Sequence, residues 1–219
     1  MTRRENISET LLTGALLAVV GGFLDAYTYL CRGGVFANAQ TGNIVLVGIR
    51  LAEGNFLGCL YYLAPIVAFA AGIFVAEAIK QRYYNHDRFH WRQVVIAFEA
   101  LVLGSIAFIP QSGDMLANVL VSFVCALQVQ SFRKIYGNAY ATTMCTGNLR
   151  SATECLWAFW RTKNLRDLQN SMRYYGIIVF FVIGAIIGAL LSRLFYMNAI
   201  FFACAVLAVV FALLFVEKH

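Results

Sequence analysis

Two copies of the tripeptide Thr-Gly-Asn carry the most distinctive chemistry in this sequence. They lie at residues 41–43 and 146–148, and each follows a long apolar run. A helix that begins at such a tripeptide offers backbone N–H groups without partners and the positive end of its dipole. The threonine hydroxyl can cap the helix, the glycine leaves the N–H groups accessible, and the asparagine amide both donates and accepts hydrogen bonds. Two such segments facing each other would form a binding site for a small polar or anionic solute.

Polar residues within or beside the apolar runs extend this predicted site. A charged side chain near the bilayer centre costs about 2.5–3.5 kcal/mol on insertion scales, so an acid at that depth is a functional candidate. Asp25 lies deep in the first run, and Gln128 occupies the corresponding zone of a later run. We expect Asp25 either to bind a proton or cation or to hydrogen-bond a neighbouring helix. The predicted substrate-binding residues are Asp25, Asn38, Thr41, Gly42, Asn43, Gln128, Thr146, Gly147 and Asn148.

The composition is that of an integral membrane protein. Hydrophobic residues make up 61% of the 219-residue chain and charged residues 13%, and the mean hydropathy is +0.71. Soluble chains are about 45–50% apolar and about 25% charged, so this chain has too much apolar surface for a soluble globule. We predict one all-α membrane domain over residues 1–219, with no catalytic residue, cofactor or metal. The net charge of +6 is expected to set the membrane topology rather than to bind nucleic acid.

Six apolar runs are long enough to cross about 30 Å of hydrocarbon. They cover residues 10–31, 57–79, 93–110, 115–133, 174–193 and 197–216. Two further segments, residues 41–53 and 146–160, have a helical pattern but are short and begin at the Thr-Gly-Asn tripeptides. We expect these two helices to be re-entrant or to lie at the interface.

The basic residues favour a topology in which neither short helix crosses the bilayer. With six spans, thirteen of the 17 basic residues lie on the cytoplasmic side, together with both termini, as the positive-inside rule requires. The chain then divides into two halves, residues 8–110 and 113–216, each with three spans. Because three is odd, the halves have opposite orientations, and such an inverted repeat is frequent in transporters.

Alternatives to a transporter remain open at this point. One alternative is that the tripeptides only begin helices on the membrane surface, a role that suits residues 146–160 with Trp157 and Trp160 near the interface. A structural or regulatory membrane protein would then be the function. An intramembrane enzyme is disfavoured, because no HExxH, GxSxG or P-loop motif occurs and no histidine falls in a predicted span. His86 and His90, in an inner loop, would form at most a weak metal site. The expected partners are the bilayer and a small solute, and a homodimer with a second copy is left open.

Four further features lead to structural expectations. Glu99 lies about two turns inside its run and is expected to reach the headgroups, and Glu77 is expected to pair with Lys80. Arg32 is expected to be a solvated loop charge. Gly184 and Gly188 are expected to allow close helix packing, within the chain or between subunits.

The segments "GGFLDAYTYL…GGVFANAQTGNIVLVG" and "ALQVQSFRKI…ATTMCTGNLRS" resemble the YoaK-like family of bacterial membrane proteins, a domain-of-unknown-function family. The similarity extends from about Ser8 to Phe215 and departs from the family pattern at Ala126, where a glycine is usual. The resemblance implies a bacterial inner-membrane location. It implies no activity.

Overall fold

Eight α-helices make up most of the protein in the computed structural model, which describes residues 7–83, 91–136 and 138–216. The helices are α1 (Leu11–Cys31), α2 (Gln40–Ala52), α3 (Phe56–Tyr83), α4 (Trp91–Ile106), α5 (Asp114–Ser131), α6 (Cys145–Thr162), α7 (Leu165–Phe195) and α8 (Phe201–Val216). A hairpin of β1 (Lys134–Ile135) and β2 (Asn138–Ala139) follows α5. His86 and His90 lie outside the described residues.

Each predicted run and each short segment corresponds to one helix. Within the described residues, four helical stretches are long and apolar enough to cross a membrane, and they are Leu11–Cys31, Phe56–Arg82, Gln111–Ser131 and Leu165–Phe215. The last of these joins α7 to α8 through the 3-10 turn Tyr196–Ile200. α4 and α8 have 16 residues each, about 24 Å of helix. The protein is therefore a multi-pass, all-α membrane protein, and the count of six spans stays a prediction.

Helices α1 and α7 pack closely because glycines line their contact. A Cβ atom on Gly184 would lie 2.1 Å from the Val19 carbonyl oxygen, and one on Gly188 would lie 2.7 Å from that of Phe23. This confirms the close packing predicted for the two glycines and places it within the chain. Helix α3 approaches α5 in the same way, since a Cβ on Gly72 would lie 2.5 Å from the Phe123 carbonyl oxygen.

The largest apolar core lies among α1, α4, α5 and α8. Its fully buried residues include Phe23, Ile96, Val121 and Leu207, one from each of these helices. Helix α2 packs on α3 and helix α6 packs on α7, at the outside of this core. On α6, Arg150 and Glu154 form an exposed ion pair of 2.9 Å, while Trp157 and Trp160 stack.

Two sequence expectations about charged residues are wrong. Arg32 is fully buried rather than solvated, because its guanidinium donates to the carbonyls of Ile106 and Ile109 and pairs with Asp114 at 3.0 Å. Glu99 is fully buried and does not reach the headgroups, because α8 and α5 cover its side of α4. The pairing of Glu77 with Lys80, at 3.4 Å, is confirmed.

Candidate functional site

The first loop, residues 32–39, folds back from the C-terminal end of α1 to the middle of that helix. Asn38 donates from Nδ2 to the Gly21 carbonyl at 3.2 Å, and its backbone N–H donates to Asp25 Oδ1 at 2.7 Å. Helix α1 is about 31 Å long, and Gly21 lies about 15 Å along the helix from its last residue, Cys31. The tip of the first loop therefore lies halfway along α1, where α2 begins.

The second loop, residues 132–144, runs along the same helix from the opposite end. The Tyr136 N–H donates to the Glu9 carbonyl just before α1, at 2.9 Å. Further along, Tyr140 packs against Gly14, and Thr143 packs against Gly21, where an added Cβ would lie 2.5 Å from Thr143 Cγ2. The two loops thus approach from opposite ends of α1 and meet at Gly21.

The asparagine of each tripeptide closes its own loop by the same pair of hydrogen bonds. Asn43 accepts from the Phe36 N–H at 3.2 Å and donates to the Phe36 carbonyl at 2.7 Å, seven positions earlier. Asn148 does the same with Ala141, at 3.3 and 2.6 Å and with the same separation of seven. Both side chains are buried. We call these two arrangements the asparagine clamps.

The helices that follow the clamps begin without a side-chain cap. The N-cap residues are Ala39 for α2 and Met144 for α6, and neither makes a side-chain cap hydrogen bond. Thr41 and Thr146 lie inside the first turn, one residue past the helix start, so the threonines are not the N-caps. At the start of α2, the N–H groups of Gln40 and Gly42 donate to the backbone carbonyls of Asn38 and Ala39. Neither helix has a side-chain cap at its start, which leaves the positive end of each helix dipole without a side-chain acceptor from the N-cap residue.

A cavity of about 710 Å³ lies where the two loops meet. The predicted site residues that line it are Asp25, Asn38, Thr41, Thr146 and Gly147. The other lining residues are Ala26, Tyr29, Leu30, Phe36, Ala39, Gln40, Phe69, Thr143, Met144, Cys145, Phe181 and Ala185. The structure thus brings the start of α2 and the start of α6 into one cavity, with α1 between them.

The cavity wall combines a large apolar area with a few polar groups. Phe36, Phe69 and Phe181 belong to three different elements of this wall. Among the described residues, no hydrogen-bond partner is found for Asn38 Oδ1 or Thr143 Oγ1, although both side chains are buried. Such unsatisfied buried groups are costly unless a water or ligand binds them.

Four predicted site residues lie behind the cavity wall. Asn43 and Asn148 form the clamps, and Gly42 packs against the Phe36 ring, 3.0 Å from an added Cβ. Gln128 is buried and donates to Thr142 Oγ1 at 3.2 Å, behind the second loop. On the other side, Ser122 donates to the Ala37 carbonyl at 3.0 Å, behind the first loop.

The most informative residue that sequence reasoning missed is Thr143. It lies five residues before Asn148, as Asn38 lies five residues before Asn43, and both reach Gly21. Aligning the two tripeptides and reading backwards would have found it. The aromatic residues of the wall had no such signal, because aromatic residues are common in any membrane span.

Comparison with known proteins identifies the family and supports a membrane protein. The family described as "Protein of unknown function (DUF1275)" matches residues 13–213. The chain is 27% identical over 199 residues to the UPF0700 transmembrane protein YoaK of Bacillus subtilis (strain 168), and the match covers 85% of each chain. No solved structure matches the chain. Since the matched region includes both loops and both clamps, the chain belongs to the DUF1275 family of YoaK-like membrane proteins.

Proposed function

We propose that this protein is a transporter or channel for a small solute, which binds near the bilayer midplane between the two Thr-Gly-Asn segments. The observation that carries the proposal is the meeting of two loops from opposite ends of α1 at Gly21, with one cavity lined by both. Non-helical backbone at membrane depth is tolerated where it is buried in protein or lines a watery cavity. A site between two such loops can be opened first to one side of the membrane and then to the other.

The packing of the helices supports an inverted repeat with six spans. If each helix of α1–α4 is matched to the helix at the same place in α5–α8, the contact between α1 and α7 corresponds to the contact between α5 and α3. These two contacts are among the most extensive between the described helices. The α2–α3 contact likewise becomes α6–α7, and α4–α5 becomes α8–α1. This pattern of contacts is the one expected of two repeats related by an internal two-fold axis, which supports the proposed inverted repeat. In this arrangement α2 and α6 are re-entrant, and both termini lie on the cytoplasmic side of the bacterial inner membrane.

The composition of the cavity wall suggests the class of solute. The uncapped starts of α2 and α6 favour an anionic or strongly hydrogen-bonding group. The aromatic residues Tyr29, Phe36 and Phe181 favour an apolar portion, and no lysine or arginine lines the cavity within the described residues. We therefore propose a small organic solute with a polar or anionic group and an apolar body.

A binding screen on full-length protein in lipid nanodiscs tests the site. A ligand that binds only the folded state raises the melting temperature, and at a fixed concentration the rise is larger for a tighter ligand, so organic anions and neutral polar solutes can be compared at one concentration. Gly147→Ala adds a methyl group at the cavity wall, and Gly48→Ala is its matched control. Both glycines lie in helices with open space around an added Cβ, but only Gly147 lines the cavity. A solute bound at the proposed site loses at least part of its melting shift in Gly147→Ala and keeps it in Gly48→Ala.

A second variant tests the polar groups of the site. Thr143→Val removes a buried hydroxyl without a partner and keeps the side-chain shape, so it should weaken binding of a polar solute without lowering stability. If a solute retains its full shift in both Gly147→Ala and Thr143→Val, the site lies elsewhere. Flux of the same solute into proteoliposomes then tests transport, and binding without flux would refute transport while leaving the site in place.

The native Cys145 provides a probe of access from each side. It is half-buried and lines the cavity, whereas Cys31, Cys59 and Cys125 are buried. In a variant without the other partly exposed cysteines, Cys145 should react with a small charged thiol reagent added in water, and a bound solute should slow the reaction. No reaction from either side of the membrane would argue against an aqueous route to the cavity.

A further inference from the structure

The outer face of α6 differs in character from the corresponding face of α2. The exposed residues of this α6 face are Thr146, Leu149, Arg150, Thr153, Glu154 and Trp157. When the two Thr-Gly-Asn tripeptides are aligned, the same positions of α2 are Thr41, Ile44, Val45, Gly48, Ile49 and Ala52, which are also exposed. The two halves thus expose the same face of their short helices, but only α6 has charged residues at these positions.

The charged residues of the α6 face lie at membrane depth. Helix α6 begins at the cavity, where the two loops meet halfway along α1. Arg150 follows Cys145, the first residue of α6, by five positions or about 7.5 Å of helix, and Glu154 follows it by about 13.5 Å. Because the hydrocarbon extends about 15 Å to either side of the bilayer midplane, both charges fall within it.

The packing of α6 on α7 places Arg150 at a similar depth. Phe181 of α7 packs against Gly21 at the middle of α1. Six positions before Phe181, the hydroxyl of Tyr175 lies 3.3 Å from the hydroxyl of Thr153 on α6. Thr153 is therefore about 9 Å of helix from the level of Gly21. Arg150, about one turn nearer to the start of α6, is closer still to that level.

Arg150 and Glu154 are too exposed to face lipid at this depth. The two side chains form an ion pair of 2.9 Å, but 79% of the Arg150 side chain and 60% of the Glu154 side chain stay exposed. Charged residues inside a membrane almost always face the interior of the helix bundle or a water-filled cavity. The corresponding residues of α2, Val45 and Ile49, suit contact with lipid. The α6 face is therefore the one of the two that water should reach.

The α6 face continues directly into the solute cavity. Thr146 lines both that cavity and a shallow pocket of about 520 Å³ over the α6 face. Its neighbours Cys145 and Gly147 line the cavity as well. Polar side chains thus extend from the cavity along α6 as far as Glu154, with Arg150 as the first charged group outside the cavity.

We propose that the α6 face lines an aqueous route between the solute cavity and one side of the membrane, the cytoplasmic side in the proposed topology. Arg150 attracts the anionic group of a solute toward the cavity, and Glu154 limits this attraction by pairing with Arg150. The cavity is open along α6 and not along α2, where Val45 and Ile49 take the places of the ion pair. This inference rests on the proposed function, because it concerns the route to the same cavity.

Two matched cysteine variants of the full-length protein test the route. In a background where the six native cysteines are replaced, Thr153→Cys places a thiol on the α6 face. Gly48→Cys places one at the corresponding position of α2, where an added Cβ has open space. In sealed vesicles, a charged thiol reagent that does not cross the bilayer should modify position 153 from one side only and should not modify position 48 from either side. Both positions should react after the protein is denatured in detergent, which shows that both thiols are intact.

The outcome at position 153 separates this inference from transport itself. Protection of position 153 from both sides, as lipid or a partner protein on the α6 face would produce, overturns the route, and so does equal modification of positions 48 and 153. If position 153 is protected in a protein that still transports a solute, the route is wrong and the transporter proposal stands. If position 153 is modified from one side but no solute is transported, the route stands and the transporter proposal is wrong.

The reactivity of Cys145 tests the roles of the two charges. With Cys145 as the only cysteine, we compare its reaction rates with an anionic and a cationic thiol reagent of the same size. At low ionic strength, the ratio of the anionic to the cationic rate should fall about two- to fivefold in Arg150→Gln, which leaves Glu154 unpaired. The ratio should rise by a similar factor in Glu154→Gln, and high salt should reduce both changes.

Arg50→Gln is the matched control for the charge test. Arg50 forms a comparable exposed ion pair with Glu53 at 2.8 Å, but on α2, so its removal should leave the rate ratio at Cys145 unchanged. If neither Arg150→Gln nor Glu154→Gln changes the ratio, or if both change it in the same direction, reagents do not reach the cavity along the α6 face and the proposal is wrong.

Discussion

Removing an asparagine clamp should destabilise the protein more than its two hydrogen bonds alone would suggest. In Asn43→Ala, the Phe36 N–H and carbonyl lose their side-chain partner, and in Asn148→Ala the same happens at Ala141. A buried backbone group without a partner costs about 1–3 kcal/mol. Each variant leaves two backbone groups without a partner, and some relaxation of the loop lowers the cost. We therefore expect either substitution to lower the free energy of unfolding by about 2–4 kcal/mol. The two clamps have the same geometry, but Asn43 also donates to Gln40 Oε1 at 2.9 Å, so the loss in Asn43→Ala should be at least as large as that in Asn148→Ala.

Equilibrium unfolding in mixed micelles, followed by circular dichroism, measures the free energy of unfolding. Asn55→Ala is the control, because the Asn55 side chain caps α3 at an exposed site and accepts from the Gly58 N–H at 2.8 Å. Loss of an exposed cap costs about 1 kcal/mol. Asn148→Asp separates the two bonds of a clamp, since the carboxylate can still accept from Ala141 but cannot donate to its carbonyl. If Asn43→Ala and Asn148→Ala both lower the free energy of unfolding by less than Asn55→Ala does, the loops do not depend on the clamps and this prediction is wrong.

Three other substitutions test the packing that surrounds the site. Arg32→Ala leaves Asp114 and two carbonyls without their partner and should cost about 3–5 kcal/mol in the same unfolding assay, whereas Arg32→Lys, which loses the forked geometry, should cost less. Gly184→Leu should separate α1 from α7 and abolish folding as judged by size-exclusion chromatography, while Gly176→Ala on the same helix, with open space around the added Cβ, should fold normally. Lys163→Gly should raise stability by about 0.5–1 kcal/mol, because Lys163 ends α6 in the left-handed conformation with φ of 58°; an unchanged or lower stability would contradict this.

The helices could be predicted from the sequence because apolar length determines them. Inside the bilayer, the backbone N–H and C=O groups of an apolar run must hydrogen-bond to each other, and an α-helix achieves this within one segment. Each predicted run and each short segment is a helix in the structure. The division into two halves stays a prediction, which rests on Thr-Gly-Asn at the same position in each. The glycine contacts at Gly184 and Gly188 followed from small residues at a spacing of one turn.

The roles of individual polar residues were harder to predict, because they depend on the path of a loop. Nothing in the sequence shows that Asn43 reaches back to Phe36, since this requires the first loop to turn beside α2. Arg32 and Glu99 were misjudged for a related reason. Their depth was inferred from the distance to the end of their own run, whereas their burial is determined by neighbouring helices that are remote in sequence.

The contact between Thr143 and Gly21 provides a direct test of where the second loop lies against α1. The clamps lie within one loop each, so they can survive a movement of one half against the other. The contact of Thr143 with Gly21, in contrast, is a van der Waals contact that joins the second loop to α1. Any change that opens the cavity to one side has to alter contacts of this kind.

A disulfide across this contact should form readily and should prevent the movement that the proposed transport requires. An added Cβ on Gly21 lies 3.6 Å from the Cβ of Thr143, and disulfides join Cβ atoms about 3.5–4.5 Å apart. In a background where the six native cysteines are replaced, the double variant Gly21→Cys/Thr143→Cys should lose two hydrogens by mass spectrometry on mild oxidation, and neither single variant should. A transporter locked in this way loses flux until a reductant is added. A double variant that stays reduced would contradict the placement of the second loop against Gly21, because Cβ atoms 3.6 Å apart lie within the range that disulfides join.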